Sequence, residues 1–219
     1  MKKMLVSLLV VLFISGMPVF ISEDKDLEQS WDAIDKEVSS EMNNKGSNTV
    51  ADPDNNLFFH KPDNFPVHTY IKVFKKQRVL ELYGDDKLIG RFRIALGRSP
   101  EGDKTSEGDS KTPEGRYYIC TRNANSKFTL FLGLSYPNTE DADIGLKNGS
   151  ISPEEYDLIK TAEERQQRPL WDTALGGEVG IHGGGNDSDW TQGCIAVSDE
   201  DIRILWAYTS FKTPVVIFE

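Results

Sequence analysis

Apolar and polar residues alternate along the middle of the chain. Ile71 and Val73, then Leu80 and Leu82, then Phe92, Ile94 and Leu96 stand two positions apart among polar neighbours, the period of half-buried strands. The breaks at 75–78 and at Gly84-Asp85-Asp86 are turn chemistry, so a β-meander is predicted. Residues 97–115 are too polar and glycine-rich for an element and read as a long surface loop between strands. Further strands are predicted at 116–120, 128–134 and Pro214–Phe218. Helix interrupts strand once before residue 181: Ser152-Pro153-Glu154-Glu155 supplies an N-cap, a first-turn proline and a capping-box glutamate for a helix running to about Gln167. A second helix, capped by Ser198 or Asp199, carries Ile202, Leu205 and Trp206. The pattern is that of a mainly β domain with inserted helices, an α+β class, beginning near Phe65.

The amino terminus changes the picture. Lys2 and Lys3 precede an apolar run, which predicts a secretory signal over residues 1–22, with an uncleaved anchor as the alternative. Leu27, Trp31, Ile34 and Val38 recur at helical spacing, and an Asn, Gly, Ser, Asp and Pro-rich stretch follows, so 23–56 reads as an amphipathic helix and linker. No membrane span is expected once the signal is removed. The formal charge of −10 argues against a broad phosphate-binding surface, and no nucleic-acid partner is expected.

The candidate chemistry sits in IHGGGNDSDWTQGCIAV, which holds one of three histidines and one of two cysteines in a glycine-crowded run. A metal reading would join His182 and Cys194 to Asp187 or Asp189, but the close ligand pairs of zinc sites are missing and no metal is predicted. A Cys120–Cys194 disulfide is the simplest pairing in an exported chain, while the setting of Cys194 favours a free thiol and that of Cys120, in YYIC, an inert buried one. Nucleophilic catalysis needs a thiol, a base within reach and a group that fixes the imidazole. His182, Cys194 and a carbonyl of the glycine run can supply all three. Gly193 permits the sharp approach that aims backbone amides at an oxyanion.

The order His182-Gly183, then Gly193-Cys194-Ile195, preceded by LGRSPEGDKTSEGDSKTPEGRYYI and by Ser135-Tyr136-Pro137-Asn138, resembles the catalytic domain of the YkuD-like L,D-transpeptidases over roughly 65–219. The resemblance implies a β-sandwich or barrel with the Cys-His site in a groove at one end. It also implies a cysteine-dependent enzyme that acts on peptidoglycan stem peptides through a thioester, without a cofactor, in the periplasm or cell envelope. Cys194 would be the nucleophile and His182 the base, with Gly183 orienting the imidazole and the backbone of Gly193 and Cys194 serving the oxyanion. Tyr136, Trp190 and Thr191 would line the groove, and Arg98 and Lys104 would meet substrate carboxylates. The alternatives are a hydrolase of the same fold, an L,D-carboxypeptidase or amidase, and a non-catalytic wall-binding module. The chain departs from the common motif at Thr191, usually serine, and at Ala196, usually arginine. The oligomeric state is not legible.

Overall fold

The computed structural model describes residues 56–219. The signal expected over 1–22 and the helix and linker expected over 23–56 lie outside the described residues, Asn56 excepted. Among these residues nine strands form one curled sheet: β1 (Phe58–Phe59), β2 (Thr69–Phe74), β3 (Val79–Gly84), β4 (Lys87–Arg93), β5 (Gly115–Ser126), β6 (Thr129–Leu134), β7 (Gly180–His182), β8 (Ile195–Ala196) and β9 (Pro214–Phe218). Three helices accompany them: α1 (Thr139–Asn148), α2 (Pro153–Glu164) and α3 (Asp199–Tyr208). None is long and apolar enough to cross a membrane.

The strands follow the order β1-β4-β3-β2-β9-β5-β6-β7-β8. β2, β3 and β4 form the antiparallel meander that the alternation predicts. β1 pairs with β4, so the folded unit takes in Phe58 and Phe59 ahead of the expected start near Phe65. β9 runs parallel to β2 and antiparallel to β5, which carries the carboxy-terminal strand into the middle of the sheet. Two contacts curl the sheet toward closure: Ala95 and Ala196 exchange backbone bonds of 2.8 Å in each direction, and Gly97 bridges Thr191. Ile71, Leu80, Leu82, Leu132, Leu134, Ile181, Ile195 and Leu205 meet inside the curl and are fully buried. Each such side chain contributes about 1.5–3 kcal/mol by leaving water.

α1 is the helix that periodicity missed. Its buried positions are Asp141, Ala142 and Gly145, so it shows no apolar stripe, yet Asn138 and Asp141 form a complete capping box and Gly149 closes it at φ 77. The capping box of α2 is the predicted one, with Ser152 and Glu155, and the helix ends at Glu164, short of Gln167. Ser198 caps α3 by accepting from the Asp201 N–H.

The 97–115 loop is tied down by a lysine that the sequence offered only as part of a turn. Lys75 is 2% exposed, and its ammonium donates to Gly102 O (2.7 Å), Thr112 O (2.8 Å) and Glu114 Oε1 (2.8 Å). Asp103 adds two bonds, accepting from the backbone N–H groups of Lys104 and Glu114. This places the loop backbone against the turn that precedes Cys194.

Candidate active site

β7 and β8 run parallel, with Ile181 opposite Ile195 and His182 opposite Ala196. Side chains alternate between the two faces of a strand. Ile181 and Ile195 enter the core, so His182 and Cys194, each one residue away, fall on the other face. Cys194 comes just before β8, level with Gly180, which offers no side chain to displace a thiol. There the Cys194 Sγ–H points to the Glu178 carbonyl at 3.5 Å, and Glu178 holds a left-handed backbone at φ 53.

His182 is 2% exposed, and its Nδ1 lies 2.6 Å from the Gly183 carbonyl. A carbonyl only accepts, so Nδ1 carries the proton and Nε2 keeps a lone pair. Three aromatic rings surround the imidazole. Phe128 stacks on it at 4.5 Å, Phe131 lies at 6.5 Å and Trp190 stands edge-on at 5.5 Å. Burial holds the imidazole pKa below its usual value; the Gly183 carbonyl opposes this and the Lys127 cation adds to it. Burial also pushes the Cys194 thiol up to about 11, against a hydrogen bond from the Gly180 backbone. Burial thus favours the neutral form of both the thiol and the imidazole.

The turn before Cys194 depends on one hydroxyl. Thr191 Oγ1 donates to Cys194 O at 2.7 Å and accepts from Gly193 N at 3.1 Å. Gly193 has φ 138, and a Cβ there would lie 2.7 Å from the Lys111 carbonyl, so no other residue fits. The Gly193 N–H is thereby occupied, which corrects the expectation that it serves an oxyanion. The Cys194 N–H meets no acceptor among the described residues. Thr191, 3% exposed, braces this turn rather than lining a groove.

The other expected residues divide. Arg98 is exposed, and its backbone N–H donates to Thr191 O at 3.1 Å, which holds its main chain beside the turn. Trp190 is half-buried, with Nε1 donating to Gly185 O at 3.0 Å. Tyr136 is fully buried and its hydroxyl donates to Leu175 O at 2.9 Å, so it supports the site from within the core instead of lining a groove. Lys104 is 4% exposed, and burial corrects the expectation that it meets substrate from the surface. Asp189 is taken by Arg78 at 2.7 Å and by the Leu96 N–H at 2.9 Å. No cluster of three His, Cys, Asp or Glu side chains suited to a metal ion occurs among the described residues. Cys120 and Cys194 are both free, and burial pushes the Cys120 thiol up to about 12.

Sequence reasoning missed four contributors: Phe128, Phe131, Glu178 and Asp199. Asp199 accepts from Gly184 N at 2.9 Å and Thr129 Oγ1 at 2.7 Å, fixing the glycine run to the start of α3. Phe131 is paired with His182 across β6 and β7, a register that only the fold reveals.

A thiol and a carbonyl-oriented imidazole on neighbouring strands of a curled sheet form a layout suited to thiol-dependent acyl transfer. The sequence profile of the L,D-transpeptidase catalytic domain, YkuD, matches residues 68–217, and the chain belongs to this family. The YafK protein of Escherichia coli (strain K12) is 33% identical over 79 residues, a stretch covering 33% of this chain and 32% of YafK. The match thus spans about a third of that relative's length. Among solved structures, the helical cell shape determining protein Pgp2 from Campylobacter jejuni is 22% identical at a TM-score of 0.46, covering 69% of this chain and 48% of Pgp2. Bd1075 from Bdellovibrio bacteriovorus is 21% identical at a TM-score of 0.45, covering 74% of this chain and 54% of Bd1075.

Proposed function

We propose that this protein is an L,D-transpeptidase of the cell envelope, exported to act on peptidoglycan stem peptides through a thioester on Cys194. His182 Nε2 takes the thiol proton as Sγ attacks the carbonyl carbon between the L-centre of diaminopimelate and the terminal D-alanine. The carbonyl electron pair moves to oxygen, where the Cys194 N–H receives it. The intermediate collapses, the carbon–nitrogen bond breaks, and the imidazolium returns its proton to the leaving D-alanine nitrogen. An incoming amine then attacks the thioester, His182 takes its proton, and the sulfur leaves and is reprotonated.

The observation that carries this reading is the 2.6 Å contact from His182 Nδ1 to Gly183 O. It leaves Nε2 as the basic nitrogen on the face that β7 shares with Cys194. Arg98, exposed beside Thr191, is the cation we assign to a carboxylate of the stem peptide, and Trp190 flanks the peptide over His182.

The test is incubation of purified protein with a tetrapeptide muropeptide and a D-amino acid, with products identified by mass. Exchange of the terminal residue or a cross-linked dimer is the expected outcome. A tripeptide as sole product would replace the proposal with L,D-carboxypeptidase activity. No product, with a thiol inert to alkylation, would replace it with wall binding.

A further inference from the structure

Lys104 belongs to a polar loop that has water available, yet the fold leaves its side chain only 4% exposed. An ammonium taken out of water must be compensated. Its Nζ donates to Ser106 O at 2.8 Å and to Asp109 Oδ1 at 2.9 Å. The Asp109 carboxylate is itself well supplied, accepting backbone N–H groups from Thr105 at 2.9 Å, Ser106 at 3.1 Å and Lys111 at 3.0 Å. Three amides therefore share the charge of Asp109, and the Lys104 charge is only partly cancelled by it. Two of the three ammonium hydrogens are used, and the third has no hydrogen-bond acceptor among the described residues. The ammonium lies 5.8 Å from the centre of the buried Tyr136 ring, whose face favours a cation.

The side chain also reaches the reactive turn. Lys104 Cδ lies 3.9 Å from where a Gly193 Cβ would stand, directly before the nucleophile. A fixed charge in a dry setting acts more strongly than the exposed cations of Arg98 and Lys127, which water and salt screen.

We propose that Lys104 is a positioning residue for the Cys194 reaction, its buried ammonium held behind Gly193 to favour negative charge as it develops at Cys194. The inference rests on Cys194 being the nucleophile. In the attack the Sγ–H bond breaks and its proton passes to His182 Nε2. The sulfur pair forms the bond to the acyl carbon, and the carbonyl pair moves to oxygen. Lys104 keeps its own proton throughout and lowers the barrier by a preset field that needs no rearrangement. The same field draws the Cys194 thiol downward against the rise that burial imposes.

The test compares wild type with Lys104→Met, Lys104→Arg and Asp109→Asn, reading the pH midpoint of Cys194 alkylation, kcat and KM on the tetrapeptide, and thermal unfolding. Lys104→Met moves the midpoint upward and lowers kcat about 10-fold or more while KM stays within about 3-fold. Lys104→Arg restores most of both. Asp109→Asn, which removes the neutralising carboxylate, moves the midpoint downward. That opposite displacement does not depend on whether Lys104→Met folds, since a merely structural role for the pair shifts only the unfolding temperature. Unmoved midpoints in folded Lys104→Met or Asp109→Asn overturn the inference while leaving Cys194 as nucleophile. Wild-type turnover in Cys194→Ala would instead remove the reading on which it rests.

Discussion

Thr191→Val removes one oxygen and leaves two backbone groups without their partner. The hydroxyl accepts from Gly193 N at 3.1 Å and donates to Cys194 O at 2.7 Å in a position 3% exposed, so water cannot readily replace it. Valine matches threonine in volume, which separates the loss of the hydroxyl from the opening of a cavity. A buried backbone group left unsatisfied costs about 1–3 kcal/mol, so the pair costs about 2–6 kcal/mol. In a domain of this size that is a fall in Tm of about 4–24 °C. The turn also aims the Cys194 N–H, and we expect kcat to fall at least about 10-fold, the scale of a disturbed oxyanion donor. Thr191→Ser keeps the oxygen and should stay within about 3 °C of wild type, with turnover intact. Thermal unfolding by circular dichroism and turnover of a tetrapeptide read both effects. A Val variant that melts with wild type and turns over normally would refute the bracing role of Thr191.

Three further outcomes follow from named contacts. Burial raises the Asp141 carboxyl to about 7, with Asp103 adding to the rise and the Asn138 N–H and Tyr117 hydroxyl opposing it. The folded state thus holds a proton that the unfolded chain releases near 4, so stability falls as pH climbs from about 4 to about 7 and is flat above, by at most about 4 kcal/mol. Asp141→Asn should flatten that slope in urea unfolding at pH 4.5 and 8, and equal slopes in the two proteins would contradict the assignment. Ala196→Arg places a guanidinium where the side chain is fully buried and the backbone bridges Ala95, and should destabilise the fold by about 3 kcal/mol or more without raising turnover; increased turnover on the tetrapeptide would contradict this. Arg98→Ala should raise KM several-fold with kcat within about 2-fold, the mark of lost uniform binding, and an unchanged KM would dismiss its carboxylate contact.

The meander, the capped α2 and α3 and the closing strand were legible because each rests on local signals: alternation of two, an N-cap serine, a first-turn proline. α1 was hidden because its face toward the protein is Asp141, Ala142 and Gly145, although Asn138 and Asp141 spelled its capping box. β7 and β8 span three and two residues among glycines, too short for any period to register, and their pairing is what sets His182 and Cys194 on one face. Residue chemistry pointed to the thiol and the imidazole. It could not foresee that Lys75 and Lys104 are buried, since a lysine in a polar loop ordinarily stays in water. Nor could spacing show that Phe128 stacks on His182 or that the Gly193 N–H is taken by Thr191. Both are products of the turn geometry on either side of the site.

The central claim, that Cys194 carries the acyl group, is tested most directly by trapping the intermediate. Protein mixed with a tetrapeptide muropeptide without added amine is quenched in acid, and its intact mass is measured. The account predicts an adduct equal to the tripeptide acyl group, mapped by digestion to Cys194, absent from Cys194→Ala, retained by Cys120→Ala and strongly reduced in His182→Ala. An adduct or full turnover that persists in Cys194→Ala would contradict it.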